Sequence, residues 1–150
     1  MIVTIILREA TQADYSQLIT IWEASVRATH DFLPDSEIAA LKPLILEQYF
    51  DAVSLTCSVT ESGDIVGFCG VLDGNIEMLF VSPASMGKGI GKALTQHAIA
   101  RQQATRVDVN EQNPAALGFY QGIGFVVTGR SELDGQGNPY PLLHLQLTTA

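Results

Sequence analysis

A run of alternating glycines carries the clearest chemical signal in the chain. The segment, called the glycine loop below, consists of Met86, Gly87, Lys88, Gly89, Ile90, Gly91 and Lys92. It lies between a strand-like stretch and an alanine-rich run typical of a helix. Glycines let a ligand approach the backbone closely, and the N–H groups at a helix start favour an anion such as phosphate. The loop therefore predicts a phosphate site, with a plain tight turn as the alternative.

The two familiar nucleotide-binding patterns do not match this loop. A P-loop requires a glycine where this chain has Met86, and a serine or threonine where it has Ala93. The dinucleotide fingerprint G-x-G-x-x-G requires its third glycine where this chain has Lys92. The spacing of the residues excludes both patterns.

A second motif, VNEQNPAALGFYQGIGF, follows at 109–125. Together with LFVSPASMGKGIGKAL at 79–94, it resembles the GNAT family of acetyl-CoA-dependent N-acetyltransferases. The family positions are matched at Leu79, Val81, Pro83, Gly89 and Gly91, and then at Asn113, Ala116, Phe119, Tyr120, Gly124 and Phe125. The first segment departs from the family at Met86, where Arg or Gln is usual. The segments WEASVRATHDFL and GNPYPLLHL further resemble a subgroup of small bacterial members.

The resemblance implies that a primary amine attacks acetyl-CoA directly, and it assigns a role to several residues. The glycine loop would bind the pyrophosphate of the coenzyme, and Tyr120 would act as the general acid. The coenzyme would also contact the main chain of one strand and two asparagine side chains. These contacts are expected at Leu79, Phe80, Val81, Asn110 and Asn113.

The general base and the acceptor pocket are less clear from the sequence. Asp108 and Glu77 are rival candidates for the base, and ordered water is a third option. Since the family builds its acceptor pocket from the loop after the first helix and from the last hairpin, four residues are expected to line it. They are His30, Asp31, Tyr140 and His144. The scattered spacing of the three histidines predicts no metal site.

Two other classes of function remain open at this point. The first is a CoA-binding sensor or regulatory domain without turnover, which the loss of Arg or Gln at Met86 favours and the presence of Tyr120 opposes. The second is a partner-binding domain without coenzyme, which the glycine loop opposes. The acceptor itself is open among peptide N-termini, protein lysines, polyamines and small amino compounds.

The elements that must position these residues follow from the hydrophobic pattern and the turn signals. The pattern predicts the order βααβββαβαββ, with a first strand at 2–8 and a second helical region at 36–50 kinked at Pro43. A helix joins the strands at 76–81 and 106–110, which predicts a parallel crossover. We therefore expect an α/β fold with a mixed sheet of about seven strands and about four helices. The resemblance implies that these two parallel strands splay apart.

Length, composition and charge set the outer limits. A chain of 150 residues with 47% hydrophobic residues fits one domain over 1–150. A net charge of −8 argues against nucleic-acid binding, and the absence of a long apolar run argues against a membrane span. Cys57 and Cys69 read as buried thiols, so a cytoplasmic location is expected. The sequence leaves the oligomeric state open, with a homodimer as one option.

Overall fold

The structure, a computed structural model, describes residues 4–148 and contains one mixed sheet flanked by helices. The strands are β1 Ile6–Glu9, β2 Ser54–Val59, β3 Ile65–Leu72, β4 Asn75–Val81, β5 Arg106–Asn110, β6 Phe125–Ser131 and β7 Leu142–Leu147. The four main helices are α1 Tyr15–Thr29, α2 Asp35–Leu44, α3 Ile90–Arg101 and α4 Pro114–Ile123. The strand order is β1-β2-β3-β4-β5-β7-β6. The expected α/β fold with seven strands and four helices is confirmed.

Helices pack on both faces of the sheet, because side chains along a strand alternate between faces. Phe68 of β3 belongs to the core formed with α1 and α2, which includes Leu18 and Trp22. The next residue, Cys69, belongs to the second core, which contains Leu94 of α3. The sheet is thus the middle layer of three, and its strand ends position the residues predicted to bind ligands.

The strands β4 and β5 are the parallel pair, and they separate soon after they meet. Their register contains only Asn75↔Arg106 and Ile76↔Val107. Beyond these pairs, β4 continues to Val81 without pairing to β5. On their other edges, β4 pairs with β3 and β5 pairs with β7 as far as Asn110. The sheet therefore opens between its two halves, as the resemblance implied.

Two local predictions differ from the structure. The second helical region is not broken at Pro43, which lies inside α2. The chain instead widens into π-helical turns over Ile45–Tyr49 and continues as a short helix, Phe50–Ala52. The first strand begins at Ile6 rather than at residue 2, and residues 2 and 3 lie outside the described part of the chain.

Both cysteines are buried free thiols, as predicted. Burial raises the pKa of Cys69 to about 12. Among residues 4–148, no helix combines the length and the apolar character needed to cross a bilayer.

Candidate active site

The glycine loop lies along a groove of about 490 Å³ that we call the loop groove. The end of β4, the start of α4 and the end of α1 form the rest of its walls. Gly87 and Gly89 have φ values of +79° and +83°, a conformation that other residues rarely adopt. A Cβ atom added at Gly87 would meet no atom within 4 Å. The backbone conformation, not internal crowding, therefore requires these glycines.

The start of α3 presents backbone donors at the groove. The first hydrogen bond of this helix runs from the Ala93 N–H to the Gly89 carbonyl, at 3.0 Å. The N–H groups of Ile90, Gly91 and Lys92 therefore have no acceptor within the helix. All three residues line the loop groove. Such a helix start can hold an anion through its N–H groups and its dipole.

The side chains of the glycine loop face different surroundings. Met86, 40% exposed, and Lys92 line the loop groove. Lys88 lines a separate cavity next to Thr60 and Glu61 of the β2–β3 turn. Only one of the two loop lysines thus reaches the groove, and the alternating spacing could not distinguish them.

The gap between β4 and β5 forms a second cavity of about 360 Å³, called the sheet opening below. It contains Asn110, whose Oδ1 atom is buried without a hydrogen-bond partner among the described residues. Asn113 Oδ1 accepts a hydrogen bond from the Ala116 N–H at 3.2 Å and so caps α4. The two cavities share six lining residues, so they adjoin each other, and together they are called the passage below. The shared residues are His30, Leu79, Phe80, Asn113, Ala116 and Tyr120.

Tyr120 lies where the two cavities meet and is 6% exposed. Its ring makes edge-on contacts with Phe119 and Phe125, at centroid distances of 5.1 and 5.6 Å. Burial, with a smaller contribution from Cys69, raises the pKa of the Tyr120 phenol well above its usual range. The hydroxyl is therefore held as a neutral donor beside the sheet opening.

His30 also lines both cavities, at the end of α1. Its Nδ1 atom lies 2.8 Å from Thr29 Oγ1, which itself lies 2.8 Å from the Ser25 carbonyl oxygen. Burial lowers the pKa of His30, and the neighbouring Asp31 charge opposes that shift only in part. The imidazole is therefore biased toward its neutral form. Sequence analysis missed the roles of Ser25 and Thr29, although their spacing on a helix signals such a contact.

An aromatic chain links the two loops that were expected to form the acceptor pocket. The rings of His30 and Phe32 lie 5.4 Å apart, and those of Phe32 and Tyr140 lie 5.9 Å apart. The structure thus brings His30 and Tyr140 together through Phe32, which the sequence analysis did not single out. Within the described chain, Asp31 is exposed and lines neither cavity.

The remaining candidates meet on the sheet in a cavity of about 540 Å³, called the acidic cleft below. Its charged and titratable lining residues are Asp73, Glu77, Asp108, His144 and the cationic Arg106. The carboxylates of Glu77 and Asp108 also line the sheet opening. Glu77 lies in a β-bulge. The neighbouring residues Gly70 and Val71 of β3 pair with Met78 and Ile76, so Glu77 between them has no partner on β3. Bulges re-aim side chains in this way.

His144 is held by partners on two neighbouring strands. Its Nδ1 atom lies 2.6 Å from Asp108 Oδ1 of β5, and its Nε2 atom lies 2.6 Å from Ser131 Oγ of β6. His144, which was expected to line the acceptor pocket, lines the acidic cleft and contacts Asp108. The role of Ser131 was missed, because only the β6–β7 register brings it to His144.

Comparison with known proteins agrees with these observations. A family model described as an acetyltransferase (GNAT) domain matches residues 35–140. The chain is 42% identical over 139 residues to peptidyl-lysine N-acetyltransferase YjaB of Salmonella typhimurium. The aligned region covers 93% of this chain and 95% of that protein. The solution structure of apo-form YjaB from Escherichia coli has a TM-score of 0.85 at 38% identity, covering 98% and 99% of the two chains.

A more distant structure shares the fold. PaiA N-acetyltransferase from Thermoplasma acidophilum, solved in complex with coenzyme A, has a TM-score of 0.75 at 19% identity and covers 97% of this chain and 99% of its own. The motifs, the parallel pair that opens and the family match over 35–140 agree with one another. The chain therefore belongs to the GNAT family of acetyltransferases.

Proposed function

We propose that this protein transfers the acetyl group of acetyl-CoA to the side-chain amine of lysine in peptides or proteins, by direct attack of the amine. The observation that carries the proposal is the pair of adjoining cavities, the loop groove and the sheet opening. It provides anion-binding backbone at one end and a buried phenol at the point where the strands separate.

The residues present fit coenzyme A (CoA). The N–H groups of the glycine loop would hold the pyrophosphate, with Lys92 as the nearby cation. The unpartnered Oδ1 atom of Asn110 marks a polar contact that a ligand in the sheet opening would complete. Because Asn113 Oδ1 accepts from the α4 backbone, its amide NH₂ group is the end left to bind the pantetheine arm.

The chemistry needs an oxyanion donor, a general acid and a neutral amine. Beyond Ile76, β4 has no partner on its β5 side. Because successive N–H groups point to opposite edges of a strand and the Ser82 N–H donates to the Val66 carbonyl of β3, the Val81 N–H would be the one to donate to the acetyl oxygen. Removing one such donor costs about 3 kcal/mol in other acyl-transfer enzymes. Tyr120 would protonate the departing thiolate. Acetyl-CoA supplies the activated thioester.

Lysine is the favoured acceptor for three reasons. The acidic cleft places Glu77 and Asp108 at the far side of the sheet opening, where two carboxylates attract an alkylammonium group. The similar YjaB proteins are named for peptidyl-lysine acetylation. The net charge of −8 also favours cationic substrates over anionic ones.

The test is an acceptor panel with acetyl-CoA, read out as release of free thiol. The panel compares a lysine peptide with a blocked N-terminus, a lysine-free peptide with an unblocked N-terminus, and spermidine. We expect the blocked lysine peptide to give the highest kcat/KM. Faster acetylation of the lysine-free peptide would overturn the lysine assignment. Tight CoA binding without thiol release from any acceptor would instead favour the sensor interpretation.

A further inference from the structure

We infer that His30 is the proton acceptor for the attacking amine, through its Nε2 atom. This inference rests on the proposed function and assigns the base that the sequence analysis left open between Asp108, Glu77 and water. It assigns His30 a chemical role in place of the expected role in the pocket wall.

The hydrogen-bond chain at the end of α1 determines which nitrogen of His30 carries the proton. Thr29 has a single hydroxyl hydrogen, and the Ser25 carbonyl, 2.8 Å away, can only accept it. Toward His30 Nδ1, 2.8 Å away, the Thr29 oxygen must therefore accept a hydrogen bond. Nδ1 is then the protonated nitrogen of the neutral ring, and Nε2 carries the lone pair.

The position of the ring suits this role. His30 lines both the loop groove and the sheet opening, as Tyr120 does, so base and acid border the same passage. The contact with Phe32, at 5.4 Å, supports the ring from the loop after α1. Burial lowers the pKa of His30, so the ring is neutral at the pH where the amine reacts.

The other charged groups around the passage do not offer an equivalent base. The groups that line it are Glu77, Asp108, Tyr120 and Lys92, and Asp31 adjoins His30 in the chain. Tyr120 is held as the neutral acid, and Lys92 is a cation at the glycine loop. Glu77 and Asp108 line both the sheet opening and the acidic cleft, where they meet an incoming cation.

His144 is the natural rival among the histidines, and its geometry excludes it. Because a carboxylate can only accept, His144 Nδ1 donates to Asp108 Oδ1 at 2.6 Å. Its Nε2 atom then accepts from the Ser131 hydroxyl, also at 2.6 Å. Both ring nitrogens of His144 are engaged, whereas the Nε2 atom of His30 has no partner among the hydrogen bonds of the described chain. His144 orients Asp108 instead.

The proton balance of the step is complete without a further reactant. The lysine ammonium first loses one proton to solvent. The neutral amine nitrogen then forms a bond to the acetyl carbon, and the carbon–sulfur bond breaks. Nε2 of His30 takes the proton lost by the nitrogen, and the Tyr120 hydroxyl gives its proton to the departing thiolate. Solvent then removes the proton from His30 and restores the one lost by Tyr120.

The test is the pH dependence of kcat/KM for the lysine peptide in wild type and His30→Gln. In wild type, kcat/KM should depend on the deprotonation of His30. A plot of log kcat/KM against pH should therefore bend at the pKa of His30, below about 6.5, where its slope falls by one unit as the pH rises. His30→Gln should lack this break and lose roughly 10²-fold or more in kcat/KM above it. The matched control is His97→Gln on α3, which removes an imidazole that lines neither cavity and should keep both the break and the rate.

A second variant tests the tautomer without removing the ring. Thr29→Val deletes the oxygen that accepts the Nδ1 proton, so kcat/KM should fall by roughly two- to tenfold while the break remains. Affinity for CoA, measured by calorimetry, should stay within about twofold of wild type in both variants. A break that persists in His30→Gln, or one that is lost in Asp108→Asn instead, would overturn the inference. If wild type releases no thiol with any acceptor, the proposed function itself fails.

Discussion

Replacement of Tyr120 by Phe separates the proposed chemical role of this residue from its packing role. The ring is 6% exposed and contacts Phe119 and Phe125 edge-on at 5.1 and 5.6 Å, and Phe preserves these contacts. Only the hydroxyl is lost, so the free energy of unfolding should change by less than about 1 kcal/mol. A packing role alone would therefore leave the acetylation rate unchanged.

The expected loss of rate follows from the surroundings of the hydroxyl. General acids contribute roughly 10²- to 10⁴-fold to the rate. Because burial raises the pKa of Tyr120, its phenol is a weaker acid than one in water, and we expect the lower end of that range. A fall of roughly 10² in the rate corresponds to about 2.7 kcal/mol of transition-state stabilisation. Because a phenol with a raised pKa stays protonated at neutral pH, the fall should be equal at each pH from about 5 to 8.5.

The assay is a single-turnover measurement of acetyl transfer with enzyme in excess over acetyl-CoA and with saturating lysine peptide, and CoA affinity is determined separately by calorimetry. Single turnover isolates chemistry from product release. The control is Tyr15→Phe, which removes a phenolic hydroxyl that donates to Asp51 and lines neither cavity. A Tyr120→Phe rate within about threefold of wild type would refute the acid role. An equal fall in CoA affinity would indicate a binding role instead.

Three further predictions concern the glycine loop and the stability of the fold. Gly89→Val should weaken CoA binding at least roughly tenfold. The control Gly63→Val changes a glycine of similar φ, +91°, in the β2–β3 turn; it should cost the same ~1–2 kcal/mol of stability as Gly89→Val but leave CoA binding intact. Equal CoA affinities of the two variants in calorimetry would refute the placement of the pyrophosphate. Of Met86, Lys88 and Lys92, the first and the last line the loop groove. Lys92→Ala should therefore reduce CoA affinity more than Lys88→Ala, and Met86→Arg should raise CoA affinity up to roughly tenfold at low salt. CoA titrations at two salt concentrations that show no difference among these variants would contradict this. Asp14→Asn should lower the free energy of unfolding by about 1–2 kcal/mol at pH 7, because hydrogen bonds from Arg8 and the Thr11 N–H lower the pKa of Asp14 from 3.8 to about 2. The stability difference between wild type and Asp14→Asn should shrink as pH falls from about 4 through 2. Urea titrations measure it, with Asp35→Asn as the exposed control. A stability difference that does not change with pH would show that the reasoning is wrong.

Features set by local geometry were predictable from the sequence. The glycine loop, the α3 start at Ile90 and the Asn113 cap of α4 each depend on residues within a few positions of one another. The same holds for the Ser25–Thr29–His30 chain, which a closer reading of helical spacing could have found. The crossover from β4 to β5 followed from the connection rules for parallel strands.

Other features depend on strand register and on the direction of side chains, which no local pattern encodes. The contacts of His144 with Asp108 and Ser131 exist because β7 pairs with both β5 and β6 in one particular register. The different surroundings of Lys88 and Lys92 depend on how the glycine loop packs against β1 and β2. A shift of one residue in strand register would move the side chains of Asp108, Ser131 or His144 to the other face of the sheet.

The sequence by itself thus determined the family, the order of the elements and most of the glycine-loop residues that line the loop groove, because short-range spacing and turn chemistry carry that information. Only the tertiary structure decided which of those residues meet. It placed His30 beside the same passage as Tyr120 and joined His144 to Asp108 on the other side of the opening. The physical reason is that these contacts join residues far apart in the chain, and only the packed sheet and helices bring them within hydrogen-bonding distance.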